Sequence, residues 1–457
     1  MSTQINVRGE ALKALMMILE DGRPSHLVIR DRLSALPEMD RRDRGFFTRL
    51  CEGTVEQLIR IDYVLGKCSS TPIKKTKPMI RTLLRMSVYQ LLFMDSVPDS
   101  AVCNEAVKLA VKRGFSGLRG YVNGVLRGVC RLDPSETLPS LTTDRDAYLS
   151  VKYSTPLWLI KTLSETYGED RLETILKGFL TERPVTARVN LSRVKKEQVI
   201  ASLENEGVEA GSMENFAEVL MLKQTGNLAE LTAMKEGWIQ IQDIASMLPV
   251  FAANLQPGET VLDVCAAPGG KSLHAADILG GTGHVYSRDL SQEKADMIRE
   301  NVVRSKLTGI TVSVHDATAY DPMFEKKADV VIADLPCSGL GIIGKKPDIK
   351  YRMTAEQINE LALLQRQILT TVVRYVKPGG RLIFSTCTLS HEENRDNRRW
   401  FMESFPHFSP IPLEDDHFSL FGEASTGEGY IQLLPGIHPC DGFYVAAFRC
   451  SNHGIVS

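Results

Sequence analysis

Two of the nine cysteines in this 457-residue chain stand where a thiol could act on a ligand: Cys337, in Asp334-Leu-Pro-Cys-Ser-Gly-Leu-Gly341, and Cys387, in Phe384-Ser-Thr-Cys387. Each follows a short apolar run that reads as a buried strand, Ala328 to Ala333 and Arg381 to Ser385. Carbon 5 of a pyrimidine is too poor a nucleophile to take a methyl group directly. A thiolate added at carbon 6 makes it enamine-like, so that carbon 5 can attack an electrophilic methyl; a base must then remove the carbon 5 proton and the thiol leaves. Methylation of an exocyclic amine needs no thiol and suits an Asn/Asp-Pro-Pro-aromatic loop, whereas position 337 is cysteine. Cysteine is more often an inert core thiol, so the surroundings decide.

Those surroundings begin with Val261-Leu-Asp-Val-Cys-Ala-Ala-Pro-Gly-Gly-Lys-Ser272. Val261, Leu262 and Val264 predict a buried strand, Pro268-Gly269-Gly270 a tight turn, and Ser272 to Ala276 the start of a helix. Glycines let the backbone approach a ligand closely, and a first helical turn aims unpaired N–H groups at an acceptor, so a nucleotide-like guest is expected. A P-loop would need glycine at the position held by Cys265, and no G-x-G-x-x-G is present. Further apolar runs end on acids: His284 to Ser287 leads to Asp289, Ile310 to Val314 to Asp316, and Ala328 to Ala333 to Asp334; Gly442 to Phe448 reads as a closing strand. Strands alternating with helices predict a parallel, doubly wound sheet whose ligands gather at the strands' C-terminal ends. One such acid could be a helix cap. Asp263, Asp289, Asp316 and Asp334 recurring at successive strand ends make a site, with Asp289 placed to accept from ribose hydroxyls.

The rest of the chain must position and feed that edge. Residues 8 to 132 carry helical periodicity almost throughout, at Leu12, Leu15, Met16 and Leu19 and again at Leu83, Leu84, Val88, Leu91 and Leu92. Residues 1 to 131 hold 22 Lys and Arg against 13 Asp and Glu, an excess of +9 in a chain of net charge −2. Arg41-Arg42-Asp43-Arg44, Lys74-Lys75-Thr76-Lys77 and Lys112 to Tyr121, the last with Phe115 and Tyr121 interleaved, could track an RNA backbone and stack on bases. Lys345, Lys346 and Lys350 add candidate phosphate contacts, though a solvated basic face has the same pattern. A linker rich in Pro, Ser, Thr and acids follows from Asp133 to Asp146, and then a small α+β module with strands at Val185 to Asn190 and Ala217 to Lys223. The expected domains are therefore a helical RNA-binding domain over 1–135, an α+β module over 150–235 and a catalytic α/β domain over 236–457. The apolar cluster Ala11 to Leu19 is interrupted by Lys13 and shorter than the roughly 20 residues of a membrane span. No C-x-x-C pair or His cluster indicates zinc or a disulfide framework, so reduced thiols, no metal, no membrane and a cytoplasmic setting are expected.

Asp263-Val-Cys-Ala-Ala-Pro-Gly-Gly-Lys-Ser272, Asp334-Leu-Pro-Cys-Ser-Gly339, Lys346-Pro-Asp-Ile-Lys350 and Ser385-Thr-Cys387 resemble the motif set of the Sun/RsmB family, bacterial RNA cytosine-C5 methyltransferases. Val88-Tyr-Gln-Leu-Leu92 with Tyr121-Val-Asn-Gly-Val-Leu-Arg127 is similar to that family's NusB-like helical domain. The resemblance implies a Rossmann-like methyltransferase domain, S-adenosyl-L-methionine as cofactor and 16S ribosomal RNA as partner; rRNA that is unassembled or partly assembled, met by a monomer, is the further expectation. It implies cofactor contacts at Cys265, Ala266, Ala267, Pro268, Gly269, Gly270, Lys271, Asp289, Asp316 and Asp334, a nucleophile at Cys387, and product release through Cys337. Leu335 and Leu340 depart from the Ala and Thr of many members, and Lys346 from the His of some; no catalytic group is lost. A nucleotide hydrolase built on Gly270-Lys271-Ser272, a non-catalytic RNA-binding assembly factor, and the same chemistry on tRNA remain the alternatives.

Overall fold

The computed structural model describes residues 5 to 452. The chain divides into two compact units: the described residues up to Leu180 together with Ile343–Arg352, and Thr181–Ile342 together with the described residues from Met353 onward.

The first unit is helical. Val7–Leu19, Arg41–Glu56, Leu58–Cys68, Pro78–Phe93, Asp99–Lys112 and Arg119–Arg131 turn apolar stripes into one core. Leu12, Leu15, Leu83, Leu84 and Val88 are buried there, and Leu19, Leu91 and Leu92 pack against it, as their spacing predicts. Gly53 is required for packing: a Cβ on it would lie 2.0 Å from the Tyr89 hydroxyl. Further helices at Arg145–Lys152, Leu157–Tyr167 and Glu169–Leu180 belong to the same unit. Phe115 and Tyr121, read from sequence as rings that could stack on bases, are half-buried. Both pack against the helical core, and the Tyr121 hydroxyl is hydrogen-bonded to Ser69 Oγ at 2.7 Å. Apolar rings on an amphipathic segment gain from contact with the core, while the cations Lys74, Lys75, Lys77, Lys112 and Arg119 are exposed.

The second unit carries two sheets. β1 (Val185–Val189), β2 (Glu209–Met213), β3 (Phe216–Lys223) and β4 (Ile239–Ile241) form an antiparallel sheet in the order β2-β3-β1-β4, with the helix Lys196–Asn205 between β1 and β2. β2, Glu-Ala-Gly-Ser-Met, has no β-branched or aromatic residue and is legible only through its pairing to β3. The larger sheet comprises β5 (Thr260–Asp263), β6 (His284–Asp289), β7 (Ile310–Val314), β8 (Ala328–Asp334), β9 (Val376–Thr386), β10 (Phe408–Pro410), β11 (Tyr430–Leu433) and β12 (Phe443–Cys450). Its order is β10-β12-β9-β8-β5-β6-β7, with β11 on β12.

β7, β6, β5, β8 and β9 are parallel, as expected, but β12 runs antiparallel to β9, β10 and β11. The apolar run of β12 carries no direction of its own; the course of residues 387–442 sets it. Along these strands alternate residues enter opposite cores. Val261, Val330, Ile332 and Ile383 meet the helices Ile244–Ala253 and Gly270–Leu279, while Leu262, Val331, Ala333 and Phe384 meet Ala355–Val372 and Asn397–Ser404. From β5 the chain moves outward to β6 and β7 and then returns to β8 on the other side of β5. That reversal leaves a crevice at the C-terminal ends of β5 and β8.

Candidate active site

The crevice is built from three loops. After β5, Cys265 to Gly269 turn sharply, with Gly269 at φ +104°, and the helix Gly270–Leu279 begins at once. A φ in that range favours glycine. The turn is tied to the next strand: Ala266 N donates to Arg288 O at 2.9 Å and Ala267 N to Asp289 Oδ2 at 2.8 Å. Asp289 also accepts from its neighbour Leu290 N at 2.8 Å and pairs with Lys294 at 3.0 Å. Below the turn Asp263 is fully buried, accepting from Ser272 Oγ at 2.7 Å, while its Oδ1 has no partner. Burial pushes its carboxyl up to about 7, against the Ser272 bond that lowers it. Asp316, at the end of β7, is exposed and accepts from Thr318 N and Oγ1 at 2.9 and 2.7 Å, bonds that hold its carboxyl below the usual range.

Cys265 is a different case from the other two cysteines. Burial, reinforced by Asp289, Asp263 and Asp334, pushes its thiol far above the range in which a thiolate forms. It can offer a ligand its backbone but not a nucleophile.

The three predicted loops meet at Asp334. Lys271 Nζ, from the glycine turn, donates to Asp334 Oδ2 at 2.6 Å, and Ser385 Oγ, from the strand that leads to Cys387, donates to Oδ1 at 2.7 Å. Lys271 also lies 5.4 Å from the centre of the Phe443 ring. Just beyond, Cys337 Sγ and Cys387 Sγ are 3.3 Å apart although 50 residues separate them in the chain. Both are half-buried; every other residue from Arg381 to Ser390 is buried, so the thiol of Cys387 marks the one opening in that stretch. Their shared hydrogen bond, helped by burial, pushes the Cys337 thiol up.

Gln365, Glu393 and Asn394 were not among the residues singled out from sequence, and Ser338 and Ser385 stood in its motifs without a role. They surround the two thiols. The one signal for Glu393 and Asn394 is the polar run Ser390-His-Glu-Glu-Asn394 directly after the Thr386-Cys387 strand end, a composition more common in plain loops. In the other direction, Lys350 is corrected. It is 1% exposed and its ammonium donates to Glu56 O at 2.9 Å in the first unit, so it cannot reach a phosphate. An apolar surround with one carbonyl acceptor satisfies it internally, and burial pulls it down to about 7.

The turn, with its glycine backbone, the orphaned Asp263 oxygen and acceptors at Asp289 and Asp316, fits a ligand that carries an ammonium group and ribose hydroxyls. Among the described residues no group of His, Cys, Asp and Glu could hold a metal ion, and no helix is long and apolar enough to cross a membrane.

Three known families match successive parts of the chain. The family described as 16S rRNA methyltransferase RsmB/F matches residues 250–449, the NusB family residues 5–131, and the RsmF/B-like ferredoxin-like domain residues 155–229. The chain is 34% identical over 447 residues to a probable ribosomal RNA small subunit methyltransferase B of Bacillus subtilis, covering 97% of this chain and 98% of the relative. It is 32% identical to the ribosomal RNA small subunit methyltransferase B of Vibrio cholerae, covering 97% of each. Among solved structures, PH0851 superposes with a TM-score of 0.82 at 28% identity, covering 97% of this chain and 99% of its own. NSun6 from Pyrococcus horikoshii, with a TM-score of 0.58 at 20% identity, shares the fold of 65% of the chain. With its NusB domain, ferredoxin-like domain and α/β methyltransferase domain in that order, this chain belongs to the RsmB/F family of 16S rRNA methyltransferases.

Proposed function

We propose that this chain methylates carbon 5 of a cytosine in 16S rRNA through a covalent bond between Cys387 and carbon 6 of the base. It acts in the cytoplasm, as a monomer, on rRNA that is unassembled or partly assembled. The observation that carries this reading is the 3.3 Å approach of two thiols at the sheet edge, beside the Lys271–Asp334 pair. A methyltransferase acting on an amine would have no use for it.

S-adenosyl-L-methionine, held by Cys265 to Lys271 with Asp289, Asp316 and Asp334, supplies an electrophilic methyl group. Cys387 adds through its sulfur to carbon 6, losing the thiol proton, and carbon 5 becomes nucleophilic. After methylation, loss of the carbon 5 proton to a base expels Cys387 as thiolate and restores the aromatic ring. Cys337 serves that release step from its position against Cys387. The target base must leave any stack to reach the thiols, at a cost of a few kcal/mol that a single-stranded loop largely avoids.

The test is methyl transfer to protein-free 16S rRNA, tRNA and intact small subunits, with gel detection of RNA–protein adducts. Cys387→Ala should form no adduct and no 5-methylcytosine, whereas Cys337→Ala should accumulate adduct. Reversed behaviour would exchange the two roles; label confined to tRNA would overturn the substrate; and no label with cofactor still bound would favour an assembly factor.

A further inference from the structure

The two thiols sit on separate loops, and one short turn grips both. Residues Glu392–Asp396 form a single widened helical turn, a feature that tends to mark functional sites. On it, Glu393 and Asn394 are buried, at 0% and 1% exposure. Adjacent residues of a helical turn point roughly 100° apart, so neighbours can reach different loops.

Glu393 serves the loop of Cys337. Its Oε1 accepts from Ser338 N at 2.9 Å, its Oε2 accepts from the Ser338 hydroxyl, and Gln365 joins Oε1 at 3.0 Å while also donating to Pro336 O at 2.9 Å. Both neighbours of Cys337 are thereby fixed. Asn394 serves the loop of Cys387 in the same manner. Its Oδ1 accepts from Thr386 Oγ1 at 2.6 Å and its Nδ2 donates to Thr388 O at 3.0 Å, with Gln432 Oε1 as a second acceptor at 2.8 Å. Both neighbours of Cys387 are fixed too. A bond between Ser338 Oγ and Thr388 Oγ1, 2.6 Å, joins the two arms. Burial pushes the Glu393 carboxyl up, and the bonds from Ser338 and Gln365 oppose that shift.

A carboxylate and an amide this deeply buried are costly unless every bond is made. Packing alone would be served by apolar side chains. We propose that Glu393 and Asn394 are positioning residues with divided duties, Glu393 placing Cys337 and Asn394 placing Cys387, so that the two thiols can be uncoupled by adjacent substitutions. The inference rests on the two-cysteine reading of the reaction.

The experiment compares Glu393→Ala, Glu393→Gln, Asn394→Asp, Cys337→Ala and Cys387→Ala in the full-length protein with 16S rRNA. Single-turnover adduct formation and product release are measured separately, with cofactor binding and thermal unfolding as checks on folding. Glu393→Ala should reproduce Cys337→Ala, slowing release by on the order of 100-fold, the cost of an ångström-scale misplacement, with adduct formation nearly intact. Glu393→Gln keeps one acceptor oxygen and should recover most of that loss. Asn394→Asp keeps the acceptor for Thr386 but loses the donor to Thr388 O, and should reproduce Cys387→Ala by suppressing adduct formation. If Glu393→Ala does not fold, Gln365→Ala, which removes the donor to Glu393 Oε1 and to Pro336 O, must slow release and leave adduct formation alone. Should the roles of the cysteines prove reversed, the phenotypes of Glu393 and Asn394 must exchange with them. Equal loss of both steps in both variants would reduce the turn to a structural support and overturn the proposal. If neither cysteine variant alters methyl transfer, the reaction reading fails and the proposal falls with it.

Discussion

Two polar segments, both marked by sequence, have been put to opposite uses. At the open edge of the large sheet, Lys271, Asp334 and Ser385 satisfy one another beside two half-buried thiols. In the helical unit, the segment Ile343–Arg352 buries its polar groups against fixed acceptors and donors: Lys350 on Glu56 O, Asp348 under Ser25 N at 3.3 Å, and the Tyr351 hydroxyl on Glu56 O at 3.2 Å. Lys271, buried to 8% exposure, is paired with a side chain at the crevice. Lys350 is spent on architecture, where its partner is a main-chain carbonyl. Motif membership alone does not separate the two; the identity and place of the acceptor do.

The sharpest way to break the comparison is to replace each lysine with methionine. Lys271→Met should lower single-turnover methyl transfer by about 100-fold, the usual loss when one preorganised electrostatic partner is removed, with little change in thermal unfolding. Lys350→Met should leave the methyl-transfer rate within a fewfold of native and change stability instead. Comparable losses of activity from both would mean that Lys350, despite its burial, acts in the reaction.

A smaller effect concerns the exposed cations of the helical unit. Changing Lys74, Lys75 and Lys77 together to Gln should weaken rRNA binding and flatten its salt dependence, because a protein that neutralises fewer phosphates releases fewer counterions on binding. Binding titrations from about 50 to 200 mM salt, a range over which phosphate neutralisation is read, check this; an unchanged slope would assign these lysines to a solvated surface.

Smallest is a pH effect with opposite signs in the two regions. Asp263 and Lys350 are both brought to about 7 by burial. A carboxyl raised in the folded state holds a proton that the unfolded chain has released, so between about 4, the unfolded carboxyl value, and 7 its contribution to stability falls as pH rises. A lysine lowered in the folded state is neutral while the unfolded chain is still protonated, so from 7 to about 10, the unfolded amine value, its contribution rises with pH. Denaturant unfolding of Asp263→Asn should therefore gain on the native protein as pH increases from 5 to 8, and Lys350→Met should lose its advantage as pH increases from 7 to 10. A pH-independent difference in either would show that the group does not titrate in that window.

Legibility followed locality. The strand–turn–helix at Val261 to Ala276 carries its pattern within one short window, and so do the acids that close β6, β7 and β8; each is readable where it stands. β2 is not, because an exposed edge strand of small and polar residues is specified by its partner β3. Phe115 and Tyr121 suggest base-stacking rings because aromatic residues among cations look alike whether they face solvent or core. Glu393 and Asn394 do not stand out because their meaning lies in Ser338, Thr386 and Thr388, and no spacing announces those bonds.

By itself, then, the amino-acid sequence determined the chemistry available: thiols, acids and a glycine turn at strand ends, since residue type and short-range periodicity are local properties. Tertiary structure decided which groups meet. The 3.3 Å between Cys337 and Cys387, the closure of Lys271 and Ser385 on one aspartate, the sealing of Lys350 and the antiparallel course of β12 all depend on segments far apart in the chain. Such approaches are set by the packing of whole sheets and helices, in which each close approach is the sum of many non-local ones.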